Sequence, residues 1–442
     1  GRRPVLLAGM GLFSLGSLLS GMATSMPQLI AMRALQGLGA GAVGPIVLTM
    51  LGDLFTLEER ARVQGLFSAV WGISSVAGPT IGGWLTDHAG WRWVFLVSLP
   101  FAALASWMIV RYYHEPMVKR RTAPIDWAGA LLLTAGLSTF LYVVLDGPRH
   151  GWAFDGAFLA FSMVLLAAFV AREKRAIDPI LPMDLMTRPI ILASVIGSGL
   201  VGVIMFGIDT YVPLYIQGVR GGTATMAGRS LTPMFLAWAV SVTVAAKAVV
   251  RWGFRRSGIV GSSLIAIGTF SLAIGASFPE WSVFAFRVGL TIVGFGMGPT
   301  SLSFILAVQN SVKWGQRGVA TGAVTLFRTI GGAVGVGLLG ATLGYELAHR
   351  LARAGGVGID VVAALRPETH AALSATQLQM VQASLGLTLR DVYLQMGLAA
   401  IGCLVCSLWL TGRRTTTNGM GGTDSDQVTL DDKDLALAAA EF

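Results

Sequence analysis

Two charged residues lie deep inside long apolar runs of this sequence: Arg33 in "AMRALQGLGAG" and Asp209 in "FGIDTYVPLYIQ". A charge in the middle of hydrocarbon costs about 2.5 to 3.5 kcal/mol on insertion scales, so such residues are kept for a reason. Arg33 falls about 9 Å into its run, counting 1.5 Å per residue from Pro27. A charge so placed calls for a compensating role; the plainer reading is a cation that snorkels and sets the height of its helix. Asp209 stands out by elimination, because the other acidic residues fall in connections, tails or run ends. In hydrocarbon a carboxylate without a counter-charge is driven to its neutral form, the behaviour that a proton carrier or a binder of cations needs. Its plainer reading is a carboxylate reaching the external headgroups past Pro213 and Tyr215.

Around these two lie residues that could line a path between helices. Gln36 is one turn from Arg33 and can bond a ligand or a neighbouring helix. Arg328 lies about seven residues into another run, within snorkelling reach. Trp71, Met205, Phe206 and Tyr211 could wall an apolar cavity or simply pack. Nothing supports covalent chemistry: there is no Walker loop, no G-x-S-x-G elbow and no H-E-x-x-H. Cys403 and Cys406 form a C-x-x-C inside an apolar run, without further ligands, and read as packing residues. All five histidines are expected in connecting segments. The chain is therefore expected to be no enzyme, with no cofactor and no metal.

The elements that must position these residues are membrane helices. With 54% hydrophobic and 12% charged residues over 442 positions, the chain is far less charged than a soluble domain. Apolar runs of spanning length occur at 5–23, 27–52, 63–84, 91–111, 125–145, 154–171, 189–216, 226–246, 258–277, 282–309, 318–345 and 391–411. The run at 154–171 is the shortest. Of the 32 Lys and Arg residues, 21 fall on one set of alternate connections and 8 on the other, which places Gly1 and the C-terminal tail in the cytoplasm. The net charge of +9 is then topological. No basic patch with interleaved aromatics points to nucleic acid. The tail, 412–442, is polar and reads as disordered, while 346–390 is one long external segment whose Leu/Ala pattern suits a surface helix.

The chain also repeats itself. "GRRPVLLAG" at 1–9 matches "GFRRSGIVG" at 253–261, "RALQGLGAGAVGP" at 33–45 matches "RVGLTIVGFGMGP" at 287–299, and "GPTIGG" at 78–83 has its counterpart in "GGAVGVG" at 331–337. Two repeats are the signature of a transporter. In the second copy two helices precede the Gly-Arg-Arg turn, so two further helices are expected before Gly1. The organisation is then 1–112 as four spans of a first repeat, 113–188 as two linker spans, 189–411 as a six-span second repeat, and the tail.

These motifs resemble the major facilitator superfamily, in particular its fourteen-span drug:proton antiporter branch. Gly1-Arg2-Arg3 resembles the end of the cytoplasmic motif, and Arg33-x-x-Gln36-Gly37-x-Gly39 the fourth-helix motif. Gly72 with Gly78-Pro79-x-x-Gly82-Gly83 resembles the fifth-helix antiporter motif, associated with export. "WRWVFLVSLP", "PLYIQGVRG" and "RTIGGAVGVG" are similar to stretches of that branch. The resemblance implies an all-α membrane protein of the major facilitator-like helical bundle type. It would sit in a bacterial-type inner membrane and export apolar or cationic small molecules against protons, with Arg33 in proton coupling. Proline and glycine at 72–83 would form a hinge and seal between repeats. Two departures stand out: the acidic part of the cytoplasmic motif is not in this chain, and Val250 fills its place in the second copy. A transporter of one metabolite or lipid with the same fold, and a receptor that binds without moving its ligand, are the alternatives.

Overall fold

The structure, a computed structural model, describes residues 2–54, 77–113, 126–146, 152–176, 179–181, 183–278, 280–312, 316–354 and 374–410, with single helical residues at 70 and 74. Among the described residues the chain is helix and short connection, with no strand. The helices are α1 (Arg2–Gly21), α2 (Met26–Leu54), α3 (77–88), α4 (Trp93–Tyr112), α5 (Trp127–Asp146), α6 (Trp152–Glu173), α7 (Met183–Met186), α8 (Pro189–Leu214), α9 (Ala224–Ser230), α10 (Thr232–Ser277), α11 (Ser282–Ser311), α12 (Arg317–Arg353) and α13 (Ala375–Leu408). Nine stretches among the described residues are long and apolar enough to cross a membrane. Their outward faces carry large bare apolar side chains such as Phe101, Trp107, Leu131 and Phe284, the surface that lipid covers.

The predicted runs fall mostly on helix where they are described; residues such as Met22, Ala23, Trp91, Arg92, Asp126 and Leu231 are turn or connection. The run at 154–171 is part of a full 22-residue helix. In the segment 346–390, α12 runs on to Arg353 and α13 begins at Ala375 behind a Ser374/Gln377 capping box; what remains for the expected surface helix is 355–373, which lies outside the described residues. An apolar-run reading ends too early there because helix continues after the hydrophobic stretch stops, held by caps and ion pairs instead. The histidine expectation also changes, since His88 ends α3 and His349 lies within α12. The 412–442 tail lies outside the described residues.

Three packed groups emerge: α1, α2 and α4; the α5–α6 pair; and α8 with α10 to α13. The largest core belongs to the last, where Ile204, Ile208, Met297 and Phe304 are fully enclosed. Tyr215 stacks on Phe286 at 4.5 Å, and Phe286 meets Tyr393 edge-on at 5.5 Å. Helices approach at glycine. A Cβ on Gly39 of α2 would stand 2.6 Å from Gly9 O of α1, and one on Gly296 of α11 would stand 2.5 Å from Gly261 O of α10. Hydrophobic attraction is absent between helices in lipid, so such close backbone packing carries the association.

Two backbone features break the regularity. Pro213 lies inside α8, and the helix then continues as a π-turn over Tyr215–Val219, as expected where proline removes one hydrogen bond of the ladder. In α10 the break is Gly253, at φ 81° and ψ 168°, a region open to glycine and closed to side chains.

Candidate functional site

Asp209 lies one turn before Pro213 on α8, and its surroundings come from the other end of the chain's order. It borders a cavity of about 430 Å³ walled by Gly78, Pro79 and Gly82 of α3, Gln217 of the π-turn and Phe235 of α10. Asp209 Oδ1 is buried and has no hydrogen-bond partner among the described residues. The structure therefore brings together two features that the sequence separates by more than a hundred residues: the embedded carboxylate and the Gly-Pro motif. Gly72 and Trp71 lie outside the described residues.

The same motif closes a seam against α9. A Cβ on Gly83 would stand 2.5 Å from Ala224 O, and one on Gly228 would collide with Pro79 O. Asp87, one turn beyond Gly83, spans the seam. Its carboxylate accepts the N–H of Ala224 at 3.1 Å and of Thr225 at 2.8 Å, together with the Thr225 hydroxyl. The hydroxyl of Thr225 first, and then the backbone bonds, hold this carboxyl below its ordinary range. Sequence reasoning missed Asp87, yet a signal was there. An acidic residue in the last turn of a helix opposes the helix dipole, so an outside partner is needed. That partner is the first turn of α9, where the dipole favours an anion.

Arg33 belongs to a different neighbourhood. Its Nη1 donates to Gln36 Oε1 at 2.6 Å, and Gln36 Nε2 donates to Ser17 Oγ at 3.1 Å. Ser17 in turn donates to Phe95 O at 2.8 Å, and the Arg33 guanidinium lies 5.6 Å from the centre of the Phe95 ring. The chain of bonds ties α1, α2 and α4 together. Gln36 is buried within it, and Arg33 has no carboxylate partner among the described residues. Arg33 and Asp209 do not meet.

The remaining predicted residues divide between packing and open faces. Tyr211 is buried and donates to Val336 O at 2.7 Å, locking α8 to α12. Phe206 lies flat against Gly332, and Met205 packs at the edge of the main core. These three hold helices together. Arg328 is half-buried on α12 with no ion-pair partner among the described residues. Its neighbour Phe327 lines a second, almost wholly apolar cavity of about 430 Å³ with Leu200, Val203 and Leu338. Of the cytoplasmic motif, Gly1 lies outside the described residues, Arg2 begins α1, and Arg3 Nη2 donates to Val110 O at 2.6 Å near the end of α4. Cys403 and Cys406 are free thiols, with Cys403 Sγ donating to Gly197 O at 3.5 Å.

A family model described as Major Facilitator Superfamily matches residues 1–336. The chain belongs to the major facilitator superfamily. The multidrug transporter protein MdtP of Bacillus subtilis is 34% identical over 350 residues, covering 78% of this chain and 63% of the relative. Multidrug resistance protein 3 of the same organism is 32% identical over 344 residues, 77% of this chain and 66% of the relative. The chain thus spans a little under two thirds of the length of these curated relatives. The methylenomycin A resistance protein of Streptomyces coelicolor is 32% identical, with 78% and 72% covered. Among solved structures, a bacterial homolog to the human lysosomal transporter Spinster matches with a TM-score of 0.61 at 14% identity, covering 93% of this chain and 84% of that one. That likeness speaks for the fold alone. Membership in this superfamily agrees with the multi-span helical architecture described above.

Proposed function

We propose that this superfamily member is a proton-driven exporter of apolar, cationic or amphipathic compounds, working by alternating access in a bacterial inner membrane with both ends of this chain in the cytoplasm. The observation that carries the proposal is Asp209, which has an unpartnered buried oxygen and borders a cavity walled by the Gly78–Gly83 motif. A carboxylate there serves two occupants that exclude each other, a proton and a cationic compound. Exchange follows, because a ligand shifts a two-state equilibrium only by its differential affinity for the two states. The multidrug and drug-resistance names of the relatives support the substrate class.

The layout supports alternating access of the fourteen-span type. The α1–α2 and α10–α11 pairs both close at glycine, at Gly9 against Gly39 and Gly261 against Gly296. Gly9 follows Gly1-Arg2-Arg3 by the same interval at which Gly261 follows Gly253. Two repeats rocking about a midplane site would use such paired contacts. The α5–α6 pair lies between them in sequence as a linker. Asp87 and its α9 partners would hold the external end of the seam together in an outward-closed state. Arg33 would act from the first repeat through its link to Gln36, apart from Asp209.

The test is proton release on adding a cationic dye to the purified protein, wild type against Asp209→Asn. Release by the wild type and reduced release by the variant is expected. Equal release from both would remove Asp209 from coupling and take the proposed mechanism with it.

A further inference from the structure

A pair of buried carboxyls lies outside the Asp209 cavity, at the end of the α5–α6 pair. Asp126 precedes α5 and Glu173 ends α6. They are 9% and 3% exposed. Each has one oxygen engaged. Asp126 Oδ1 accepts the Gly129 N–H at 3.0 Å and both Nε and Nη2 of Arg172 at 3.2 Å. Glu173 Oε2 accepts the Leu181 N–H at 2.9 Å. The other two oxygens, Asp126 Oδ2 and Glu173 Oε1, are buried and have no partner among the described residues.

These two orphan oxygens converge. A Cβ built on Gly129 would stand 2.7 Å from Asp126 Oδ2 and 3.0 Å from Glu173 Oε1. They are therefore less than about 6 Å apart, inside the range where two like charges oppose each other's ionisation. Two bare carboxylates facing each other in a buried place would each lack a donor, a costly arrangement. One proton removes the conflict.

Its place follows from the donors. Asp126 has a guanidinium and a backbone N–H on its engaged oxygen, which together favour the charged form, whereas Glu173 has only the neutral backbone N–H groups of Leu181 and Ile180. Among the described residues, the charged groups facing Glu173 are Asp126 across the helix pair and Arg172 on its own helix, the latter already turned to Asp126. Lys174 and Arg175, next in sequence, are exposed, and Arg188 of the same connection donates to Ser311 O at 2.9 Å. No third His, Cys, Asp or Glu joins the pair among the described residues, which leaves a metal ion short of ligands.

We propose that Asp126 and Glu173 form a buried acid pair that binds a single proton, carried on Glu173 Oε1 and facing Asp126 Oδ2. Its role is mechanical. The other oxygen of Glu173 grips Leu181, and Leu181 and Leu185 anchor the connection into α8 within a cluster that includes Phe169, Ile191, Val308 and Val324. The proton thus clasps the α5–α6 pair to the bundle of α8 to α13, and its loss places two facing anions in that joint. This site is separate from the transport cavity and does not depend on which compound is carried.

The test uses purified protein and two readouts. In infrared difference spectra at neutral pH, the wild type shows a protonated-carboxyl band that is missing in Glu173→Gln. Thermal stability gives the second readout, because a proton held by the folded state and released by the unfolded one ties stability to pH. The wild-type folding constant falls by up to about tenfold per pH unit as pH rises from the ordinary carboxyl pKa, about 4.3, to the raised value in the folded protein, and Glu173→Gln flattens this slope. Gln keeps an acceptor for Leu181 and a donor for Asp126, so it is expected to fold where Glu173→Ala fails. Identical spectra and identical slopes in wild type and Glu173→Gln would overturn the proposal. So would stabilisation of the wild type, but not of Glu173→Gln, by sodium, magnesium or calcium at constant ionic strength, since the occupant would then be a metal cation.

Discussion

Asp87, in the last turn of α3, holds the first turn of α9 by accepting the Thr225 N–H at 2.8 Å. Nothing else in the seam is as directional, since Gly83 against Ala224 and Gly228 against Pro79 are contacts of backbone with backbone. Removing the carboxylate should let the seam part. We expect Asp87→Ala to raise the reaction rate of a cysteine placed at Gln217, in the cavity behind the seam, with a water-soluble maleimide. An unchanged rate would deny Asp87 its role.

The same bond fixes how the seam responds to acid. The Asp87 carboxyl is lowered when α3 and α9 are closed, so closure gains from it above the ordinary carboxylate pKa and loses that gain as pH falls through the lowered value. Across about pH 5 to 8 the group is ionised in both the open and the closed state. Labelling at Gln217→Cys, taken relative to an exposed reference cysteine so that thiolate ionisation cancels, should therefore be flat over that window in an otherwise wild-type protein. A rise toward pH 5 would mean that protons work this seam directly.

Glycine positions within one helix should differ sharply. Gly39 meets Gly9 O and the Phe13 backbone, whereas Gly37 has nothing within 4 Å among the described residues. Gly39→Ala must spread α1 from α2 and is expected to cost about 1 to 3 kcal/mol as overpacking. Gly37→Ala should be neutral or gain about 0.5 to 1 kcal/mol from helix propensity. Thermal melts of the two variants decide it, and equal melts would mean that α1 and α2 are not in this register.

Gln36 is expected to matter more for stability than its type suggests. It is the middle member of the chain from Arg33 to Ser17 and Phe95. Gln36→Leu removes the buried bond to Ser17 and the acceptor of the more exposed Arg33, a loss of about 0.5 to 1.5 kcal/mol. Gln36→Glu restores an acceptor and adds a counter-charge, so it should recover much of the loss. Denaturation of the two variants separates this bonding role from a substrate contact, which would spare stability and change only the compounds carried.

Much of the architecture was legible because hydrocarbon imposes a simple rule: a spanning segment must be apolar and helical. The runs, the Gly-Arg-Arg turn at Gly253 and the importance of Gly78 to Gly83 all follow from residue type and spacing. The aromatic residues were harder. Tyr211 and Phe206 have the same composition whether they line a cavity or fill a contact, and only Val336 O and Gly332 decide between the two. Asp87, Asp126 and Glu173 read as charges at span ends, because their partners come from distant segments or from turns whose path an apolar run does not reveal. Asp209 was legible as an anomaly, and its neighbours were not.

Gly253 has a mechanical meaning beyond marking a turn. It joins two arms of α10 through a single residue with helix directly on both sides, so the joint has no slack. The first arm starts just after α9, at the seam, and meets α11 at Gly294 and Gly298, while the second packs along α11 at Gly261 and Gly268. One partner helix thus clamps both arms, and Gly253 is a swivel whose range α11 sets.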